Sequence, residues 1–430
     1  MNRREFLKST LAATVCLSTC CGCYGKEKPD GKNMTNKVQG SQNEEQVTRR
    51  KYKNTNLTLP LLGFGMMRLP RIDESKQDVD YALAEKMIAD AMKAGCNYFD
   101  TAYMYHNGLS EKCVGDLLSK YPRDSYYLAD KMPAWMANSA EDIKKIFAHQ
   151  LERTKAGYFD FYLIHCVEQS ILDLIDNFKV YEFLSQMKKE GKIRQLGFSF
   201  HDTPEVLEKF LDKHEWDFVQ IQLNYLDWDL YRSREQYEMI TKRNIPVIVM
   251  EPLRGGALSV LNPASATILK NANPNDSITS WALRFVASLP NVVCVLSGMS
   301  HPDHMIDNLS TFSPFKPLTD DERKTLQTAL EIYRKNLAVP CTGCRYCLPC
   351  PMGIEIPRIF GLYNQYRSNL ATGGWLFTNN YGTLPENARA DACIACGKCA
   401  KHCPQHIQIP DMMKKIHNEV QELLKVVDDE

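Results

Sequence analysis

Eight short apolar runs recur at regular intervals between Leu59 and about Phe312, and they constrain the fold of this chain more than any other feature. The runs are Leu61–Met67, Asn97–Ala102, Tyr126–Met132, Phe159–His165, Gln195–Phe200, Phe218–Asn224, Pro246–Pro252 and Val292–Gly298. Each is rich in Val, Ile, Tyr or Phe, as buried parallel strands are. The segments between them have helical periodicity, as in Ala82–Met92, which ends at Gly95. Eight strand–helix units in about 250 residues predict an α/β fold, a (β/α)8 TIM barrel.

A doubly wound parallel sheet is the alternative fold for the same alternation. It would need a Gly-rich phosphate turn after its first strand, and the sequence contains no Gly-x-Gly-x-x-Gly. The length of 430 residues accommodates a barrel and a second, smaller domain. The formal net charge is zero and no basic stripe is present, so the sequence does not predict nucleic-acid binding.

Two cysteine runs near the C-terminus have nearly the same pattern, and both close with Cys-Pro-x-x-Ile-x-Ile-Pro. The first run contains Cys341, Cys344, Cys347 and Cys350, and the second contains Cys393, Cys396, Cys399 and Cys403. Three thiolates spaced two residues apart can surround one iron–sulfur cluster, and the Cys before Pro commonly ligates the other cluster. The pattern predicts two [4Fe–4S] clusters in a mainly helical, ferredoxin-type module that needs its metal to fold.

The two runs differ in one respect. The second has the Cys-x2-Cys-x2-Cys-x3-Cys-Pro spacing of two-cluster modules, whereas the first is one residue short before Cys350. Structural zinc is the alternative occupant, because zinc also binds Cys-x2-Cys pairs. Two groups of four cysteines, each closed by Cys-Pro, favour iron–sulfur clusters. Disulfides are disfavoured, since so dense a spacing would close short, strained loops.

The first 23 residues predict an export signal. The segment Arg3–Leu7 places an arginine pair before Phe-Leu and a short apolar run, in the order of a twin-arginine signal. The segment Leu17–Cys20 resembles a lipoprotein box, so the exported protein is either periplasmic or anchored to the membrane by a lipid at Cys20. Residues 24–50 are polar and predict a disordered tether. A cytoplasmic protein follows if the arginine pair is not a signal.

Polar side chains follow strands two, three and four of the predicted barrel. Asp100 ends strand two, Tyr105 lies in the next loop, and Lys131 and His165 lie at the ends of strands three and four. The carboxyl ends of barrel strands meet at one mouth. Carbonyl reduction needs a proton donor and charge stabilisation at the oxygen. We therefore predict Tyr105 as the general acid, Lys131 as the group that lowers its pKa, Asp100 as the lysine's partner and His165 as a donor to the oxygen.

The barrel region resembles the aldo-keto reductase family. The matching segments are Leu61–Gly65, Phe99–Tyr105, Lys131, His165, Lys192–Ser199, Gln220, Pro252–Gly256 and Gly298–Asn308. The resemblance implies the same four catalytic residues, NADP or NAD bound across the barrel mouth, and a small aldehyde or ketone as substrate. It also implies a set of cofactor contacts, with Ser199 and Gln220 at the nicotinamide carboxamide and Asp307 and Asn308 at the adenine end. The full set is Gly63, Ser199, Gln220, Pro252, Leu253, Asp307 and Asn308.

The whole chain is similar to a bacterial branch of that family that carries a C-terminal ferredoxin module, as the run Cys341–Pro351 indicates. Several positions depart from the family pattern. Phe200 replaces the usual Asn after the carboxamide-binding Ser, and Met250 replaces the aromatic that stacks on the nicotinamide. Gly298 and His304 replace the basic residues that hold the 2′-phosphate, so the choice between NAD and NADP stays open.

The predicted organisation has four parts. They are a signal segment (1–23), a tether (24–50), a reductase barrel (51–317) and a linker helix with the two-cluster module (318–430).

The predicted function is an iron–sulfur oxidoreductase that reduces a carbonyl with NAD(P)H, in a pocket walled by Trp135 and His201. A nicotinamide gives up two electrons at once whereas each cluster takes one. The clusters are therefore structural, or they exchange electrons with a redox partner protein, or the barrel acts on a substrate that can react through radicals. The alternative is an exported electron-transfer or redox-sensing protein whose barrel is a scaffold or a partner-binding surface.

Overall fold

The computed structural model describes residues 46–53, 55–73, 78–335, 338–368 and 370–428. The predicted export signal and most of the predicted tether lie outside the described residues. Within those ranges, no helix combines the length and the apolar character needed to cross a bilayer.

A closed parallel barrel forms the centre of the molecule, preceded by a small antiparallel hairpin of β1 (Arg49–Lys51) and β2 (Thr58–Pro60). The barrel strands are β3 (Leu62–Gly65), β4 (Tyr98–Asp100), β5 (Tyr127–Met132), β6 (Phe159–Val167), β7 (Ile193–Phe200), β8 (Phe218–Gln222), β9 (Val247–Met250) and β10 (Val292–Ser297). Their order around the barrel follows the sequence, and β10 pairs with β3 to close it. The predicted (β/α)8 fold is confirmed.

Helices connect the strands on the outside of the barrel. They are α1 (Tyr81–Lys93), α2 (Leu109–Leu118), α3 (Ala140–Thr154), α4 (Leu172–Asn177), α5 (Val180–Lys189), α6 (Pro204–Lys213), α7 (Asp227–Leu230), α8 (Ser233–Lys242), α9 (Pro263–Ala272), α10 (Ile278–Ala287) and α11 (Pro302–Phe312). Gly95 follows α1 with φ of +78°, a conformation that favours glycine, so it ends the helix as its position in the sequence predicts.

The N-terminal end of the barrel is filled by apolar side chains. Tyr52 and Leu59, from the hairpin, are buried together with Tyr98, Phe161 and Phe218 from the strands. The ring of Tyr52 meets that of Phe161 edge-on, with the centroids 5.7 Å apart. Because this end is closed, cavities remain at the opposite mouth, where the strands end and polar residues converge.

A C-terminal segment follows the barrel. Helix α12 (Asp320–Arg334) begins at a capping box in which Thr319 and Glu322 bond each other's backbone N–H groups. It packs on the barrel domain, where the Ser265 hydroxyl donates to the Ala329 carbonyl of the helix. The mainly helical module beyond it contains α13 (Ile356–Ser368), α14 (Leu370–Gly382), α15 (Lys398–Lys401) and α16 (Ile409–Asp428). The long helices α13 and α16 both begin with Ile-Pro after a cysteine run, which is the internal repeat seen in the sequence.

Candidate active site at the barrel mouth

Three of the four predicted catalytic side chains are linked by hydrogen bonds at the barrel mouth. The Lys131 Nζ lies 2.5 Å from Asp100 Oδ1, 2.6 Å from the Thr101 carbonyl oxygen and 3.3 Å from the Tyr105 hydroxyl. The ring of His165 meets that of Tyr105 edge-on, with the centroids 6.0 Å apart. The structure thus brings together all four residues that strand spacing placed at this mouth.

Burial governs the acidity of the tyrosine. Desolvation raises the pKa of Tyr105 to about 12, although the nearby Lys131 ammonium opposes that rise. Lys131 thus acts on the tyrosine pKa in the direction that the sequence predicts, but burial raises this pKa by more than Lys131 lowers it. Burial also disfavours the ammonium, but Asp100 and Tyr105 together raise the pKa of Lys131, so it stays charged.

His165 is neutral in these surroundings. Burial, together with the charge of Lys131, lowers its pKa well below the ordinary value. Among the described residues, its Nδ1 has no hydrogen-bond partner, while its Nε2 lies 3.4 Å from the hydroxyl of Tyr346. Trp135 lies against the same ring, with the centroids 5.1 Å apart. A neutral imidazole with one nitrogen facing the mouth can donate a hydrogen bond to an oxygen there.

A cleft of about 480 Å³ extends from the catalytic residues across the mouth. Its walls include six of the seven predicted cofactor contacts, namely Ser199, Gln220, Pro252, Leu253, Asp307 and Asn308. The seventh, Gly63, does not line the cleft. A Cβ at Gly63 would lie 2.8 Å from the Cys294 sulfur, so the glycine is required for packing between strands.

The cleft offers a fit for a nicotinamide carboxamide. Gln220 Oε1 is buried and has no hydrogen-bond partner in the described part of the chain, while its Nε2 points to Met250 Sδ at 3.6 Å. A buried amide oxygen without a partner is costly, and a carboxamide N–H would satisfy it. The Ser199 hydroxyl already accepts a bond from the Cys166 backbone N–H at 2.8 Å.

Carboxylates dominate the charge of this cleft. Asp303 and Asp307 line it, together with Glu251, whose pKa burial raises to about 7, and Arg68 also reaches it. The Arg68 side chain lies over Gly298, where a Cβ would be 3.0 Å from Arg68 Cβ. The aliphatic stem of Arg68 therefore packs over the position at which the sequence lacks a basic residue, while its guanidinium donates to the Gly343 carbonyl.

The eight predicted cluster ligands surround two small enclosed spaces in the C-terminal module. One is lined by Cys341, Cys344, Cys347 and Cys403, and the other by Cys350, Cys393, Cys396 and Cys399. Each space thus combines three cysteines of one run with the Cys-Pro cysteine of the other. Four sulfurs around an apolar space are a donor set that fits an iron–sulfur cube. Over the described residues, no three His, Cys, Asp or Glu side chains converge on a single metal-ion position.

Comparison with known proteins gives two family matches. Residues 61–331 match the aldo/keto reductase family, and residues 340–407 match a 4Fe-4S dicluster domain. The first match spans more than half of the chain. This chain belongs to the aldo/keto reductase family. It is an oxidoreductase of that type with a 4Fe–4S ferredoxin domain, for which a nicotinamide cofactor and iron–sulfur clusters, rather than zinc, are implied.

Relatives of this aldo/keto reductase cover its barrel. The uncharacterized oxidoreductase YqkF of Bacillus subtilis is 25% identical over 321 residues, which is 67% of this chain and 99% of that protein. The L-galactose dehydrogenase of Arabidopsis thaliana is 26% identical, over 67% of this chain and 95% of the plant protein. The holo form of an aldo-keto reductase from Bacillus halodurans matches at 27% identity and a TM-score of 0.55, over 66% of this chain and 96% of its own.

The segment Thr342–Tyr346 of the ferredoxin domain covers the barrel mouth of this aldo/keto reductase as a roof. Arg68 Nη2 donates to the Gly343 carbonyl at 2.9 Å, and Tyr346 reaches His165. A Cβ at Gly255, in the loop after β9, would lie 1.4 Å from the Thr342 carbonyl oxygen, so the two backbones are in direct contact. The reductase site is therefore built from both parts of the chain.

Farther from the site, a reciprocal amide pair joins the same two parts. Gln405 Nε2 donates to Gln222 Oε1 at 2.7 Å, and Gln222 Nε2 donates back to Gln405 Oε1 at 3.2 Å. Both side chains are buried. A buried pair that satisfies both amides fixes the orientation of the domain against the barrel.

Sequence reasoning missed the residues that form this roof. Tyr346 lies between two predicted cluster ligands, which gave it no separate signal, and Arg68 follows the first barrel strand without a motif of its own. Glu251 is a third residue that was missed. It directly follows β9, and its positive φ of 53° places its carboxylate in the cleft. Trp135 and His201, predicted as pocket walls, both line the cavity beneath the roof.

Proposed function

We propose that this aldo/keto reductase reduces a small aldehyde or ketone with NADH, with Tyr105 as the general acid. The observation that carries the proposal is the convergence of Tyr105, Lys131, Asp100 and His165, with Lys131 Nζ 3.3 Å from the phenol. These are the groups that a carbonyl oxygen needs as it gains charge.

The chemistry at the oxygen belongs to this chain. A bound nicotinamide supplies the hydride to the carbonyl carbon. The carbonyl oxygen accepts hydrogen bonds from the Tyr105 hydroxyl and from His165 Nε2, and Tyr105 transfers its proton to the oxygen as charge develops. Lys131 then stabilises the phenolate, and Asp100 holds the ammonium in place. Hydride at carbon and proton at oxygen together account for the two hydrogens that the carbonyl group gains.

Substitution of Tyr105 tests this role. In Tyr105→Phe we expect kcat/KM for an aldehyde to fall at least about a hundredfold, because the proton donor is lost. Binding of NADH, followed by its fluorescence, should change little. Tyr103→Phe is the matched control, since the Tyr103 hydroxyl lies 3.3 Å from His149 Nδ1, away from the cleft. Unchanged turnover in Tyr105→Phe would remove the reductase proposal.

The charge of the cleft supports NADH as the cofactor. Asp303 and Asp307 lie where the adenine end is expected, and a 2′-phosphate would be repelled by them. A relative named NADH-specific methylglyoxal reductase, from Escherichia coli, is 25% identical over 60% of this chain. We expect kcat/KM to be at least about tenfold higher with NADH than with NADPH. A preference for NADPH would contradict this assignment.

We further propose that the module holds two [4Fe–4S] clusters, one in each cysteine-lined space. Bound clusters supply one-electron transfer. Cys396 is exposed and flanked by Ile394 and Met352, which are 62% and 38% exposed, so a redox partner protein could dock at this apolar edge. Iron and sulfide analysis after anaerobic purification should give about eight of each per chain. About four of each would contradict the second cluster.

One observation favours a second candidate function. The Tyr346 hydroxyl lies 3.4 Å from His165 Nε2, in the place where a carbonyl oxygen would bind. A barrel closed in this way could be a scaffold in an electron-transfer or redox-sensing protein. Redox-dependent capture of a partner by the module, with no carbonyl turnover in either the unaltered protein or Tyr346→Phe, would favour that candidate.

We also propose export by the twin-arginine route, since the Arg3-Arg4 signal suits a protein that folds around clusters before transport. Replacing both arginines by lysine should retain the protein in the cytoplasm in a fractionation experiment. Cys20→Ser should release exported protein from the membrane fraction if Cys20 carries a lipid. An unchanged distribution in the double lysine variant would contradict export by this route.

A further inference from the structure

A second cavity, of about 870 Å³, lies between the barrel mouth and the ferredoxin domain. Tyr105, Trp135 and His201 line it from the barrel, and Tyr346 lines it from the domain. Tyr105, Tyr346 and Arg68 border both this cavity and the cofactor cleft. The part of a substrate that does not react therefore faces this space while its carbonyl group faces Tyr105.

The charged side chains around the cavity are mainly cationic. Arg68, Arg71, Arg345 and Lys401 line it, against two carboxylates, Glu168 and Glu355. His201 adds no charge at neutral pH, because burial lowers its pKa to about 4. Even with Arg71 left out of this comparison, Arg68, Arg345 and Lys401 outnumber the two carboxylates, so the cavity is positive.

Ion pairs among these charged side chains do not neutralise the positive charge of the cavity. Arg345 Nη2 lies 3.4 Å from Glu355 Oε2, and Arg345 Nε is buried with no hydrogen-bond partner in the described residues. Arg68 donates to a neutral backbone carbonyl, that of Gly343, and the carboxylate that it influences, Glu251, lines the cofactor cleft and not this cavity. A guanidinium that is partly buried and incompletely bonded binds a carboxylate or a phosphate strongly.

We propose that the substrate is an anion, a small carbonyl compound that also carries a carboxylate or a phosphate group. Its carbonyl group lies between Tyr105 and His165, and its anionic group is bound by Arg68, Arg345 and Lys401. This inference rests on the proposed carbonyl reduction at Tyr105. Two of the three anion-binding side chains come from the ferredoxin domain, so that domain selects the substrate of the barrel.

A pair of aldehydes of similar size tests the proposal. 4-Carboxybenzaldehyde is an anion at neutral pH, and 4-nitrobenzaldehyde is neutral. We expect the ratio of kcat/KM for the anion to that for the neutral aldehyde to fall about tenfold in Lys401→Gln and in Arg345→Gln, because each removes a charged contact. Comparing variants by this ratio cancels the difference in intrinsic reactivity between the two aldehydes.

Lys398→Gln is the matched control, because Lys398 lies on the same short helix as Lys401 but does not line the cavity. It should leave the ratio unchanged. Arg345 pairs with Glu355 inside the domain, so iron content is checked in each variant. Lys401 is exposed and is not a member of that ion pair, so Lys401→Gln keeps the test decisive if Arg345→Gln loses its clusters. The proposal would be overturned if the ratio of kcat/KM for the anionic aldehyde to that for the neutral one were equal in Lys401→Gln, Lys398→Gln and the unaltered protein.

A second pair separates the two anionic groups. Glyceraldehyde 3-phosphate is compared with glyceraldehyde, in the same variants. A larger preference for the phosphate compound than for 4-carboxybenzaldehyde assigns a phosphate substrate, and the reverse assigns a carboxylate. No preference for either anion would contradict the proposal.

Binding of the product alcohols separates this inference from the proposed function. Titration calorimetry compares 4-carboxybenzyl alcohol with 4-nitrobenzyl alcohol, and it requires no turnover. Tighter binding of the anionic alcohol that is lost in Lys401→Gln supports the anion site even if no aldehyde is reduced. Reduction of the neutral aldehyde without any preference for anions would leave the reductase function standing and the anion site refuted.

Discussion

Tyr105 can act as an acid only if it keeps its proton until a carbonyl oxygen gains charge. Burial favours the neutral phenol, and Lys131 acts in the opposite direction by stabilising the phenolate. The two effects leave the tyrosine pKa at about 12. Residue order along the strands predicted which side chains meet, but not how deeply they are buried, and burial decides the direction of the shift.

The pH dependence of reduction follows from this balance. Tyr105 is protonated at every pH well below 12, and His165 is neutral at every pH above its lowered pKa. We therefore expect kcat/KM for a neutral aldehyde, at saturating NADH, to stay level between about pH 7 and pH 10. A fall centred near pH 8 that disappears in Tyr105→Phe would show that Lys131 dominates after all.

In the proposed reaction, Tyr346 competes with the substrate for His165. Its hydroxyl lies 3.4 Å from His165 Nε2, so a carbonyl oxygen bound as we propose would replace this contact. In Tyr346→Phe we expect KM for a neutral aldehyde to fall by a factor of about three to ten, since one neutral hydrogen bond no longer has to be broken. Initial rates at varied aldehyde concentration measure this. A higher KM would mean that Tyr346 helps to bind the substrate instead.

At the level of elements, the two cysteine runs are interleaved. Each enclosed space takes three cysteines from one run and its fourth from the end of the other, which also brings together the starts of α13 and α16. The repeated Cys-Pro pattern allowed this arrangement to be expected from the sequence. Cys350, which departs from the usual spacing, lies with the cysteines of the second run.

Double substitutions test the interleaving. Cys344→Ala with Cys403→Ala removes two ligands of the same space, so about four iron atoms should remain per chain. Cys344→Ala with Cys399→Ala removes one ligand from each space and should leave little iron. Iron analysis and cluster absorbance measure both. Little iron in both double variants would mean that each run binds its own cluster, because each variant would then lose one ligand from each run.

The eight strands and the C-terminal helices were predictable because each depends on local periodicity. The contacts between the barrel and the ferredoxin domain were not predictable from the sequence. Tyr346 and His165 are 181 residues apart, and Gln222 and Gln405 are 183 apart. Neither pair carries a spacing or charge pattern, since their contact depends on how the folded domains dock. The candidate catalytic residues were therefore predictable, whereas the roof over them was not.

At the level of the whole molecule, the contact between the barrel and the ferredoxin domain depends on Gly255. A Cβ at Gly255 would lie 1.4 Å from the Thr342 carbonyl oxygen, whereas nothing lies within 4 Å of one at Gly256. Gly255→Ala should therefore push the ferredoxin domain from the barrel, with faster proteolysis between the domains and at least about a tenfold loss of kcat/KM.

Gly256→Ala is the control for that change. Both glycines have positive φ, +66° at Gly255 and +99° at Gly256, so both substitutions strain the backbone, but only the first meets the other domain. We expect protease to cleave Gly256→Ala between the domains no faster than it cleaves the unaltered protein. Equal effects of the two substitutions would show that backbone strain, and not domain contact, is responsible.

Isotope labelling measures directly whether hydride passes from NADH to the carbonyl carbon. NADH that carries deuterium at both C4 positions is incubated anaerobically with the purified protein and an aldehyde, and the alcohol is analysed by mass spectrometry. We expect one deuterium on the carbinol carbon of the alcohol, and at least about a hundredfold less labelled alcohol from Tyr105→Phe in the same time. Oxidation of NADH with reduction of the clusters, and no deuterium in any alcohol, would contradict this expectation.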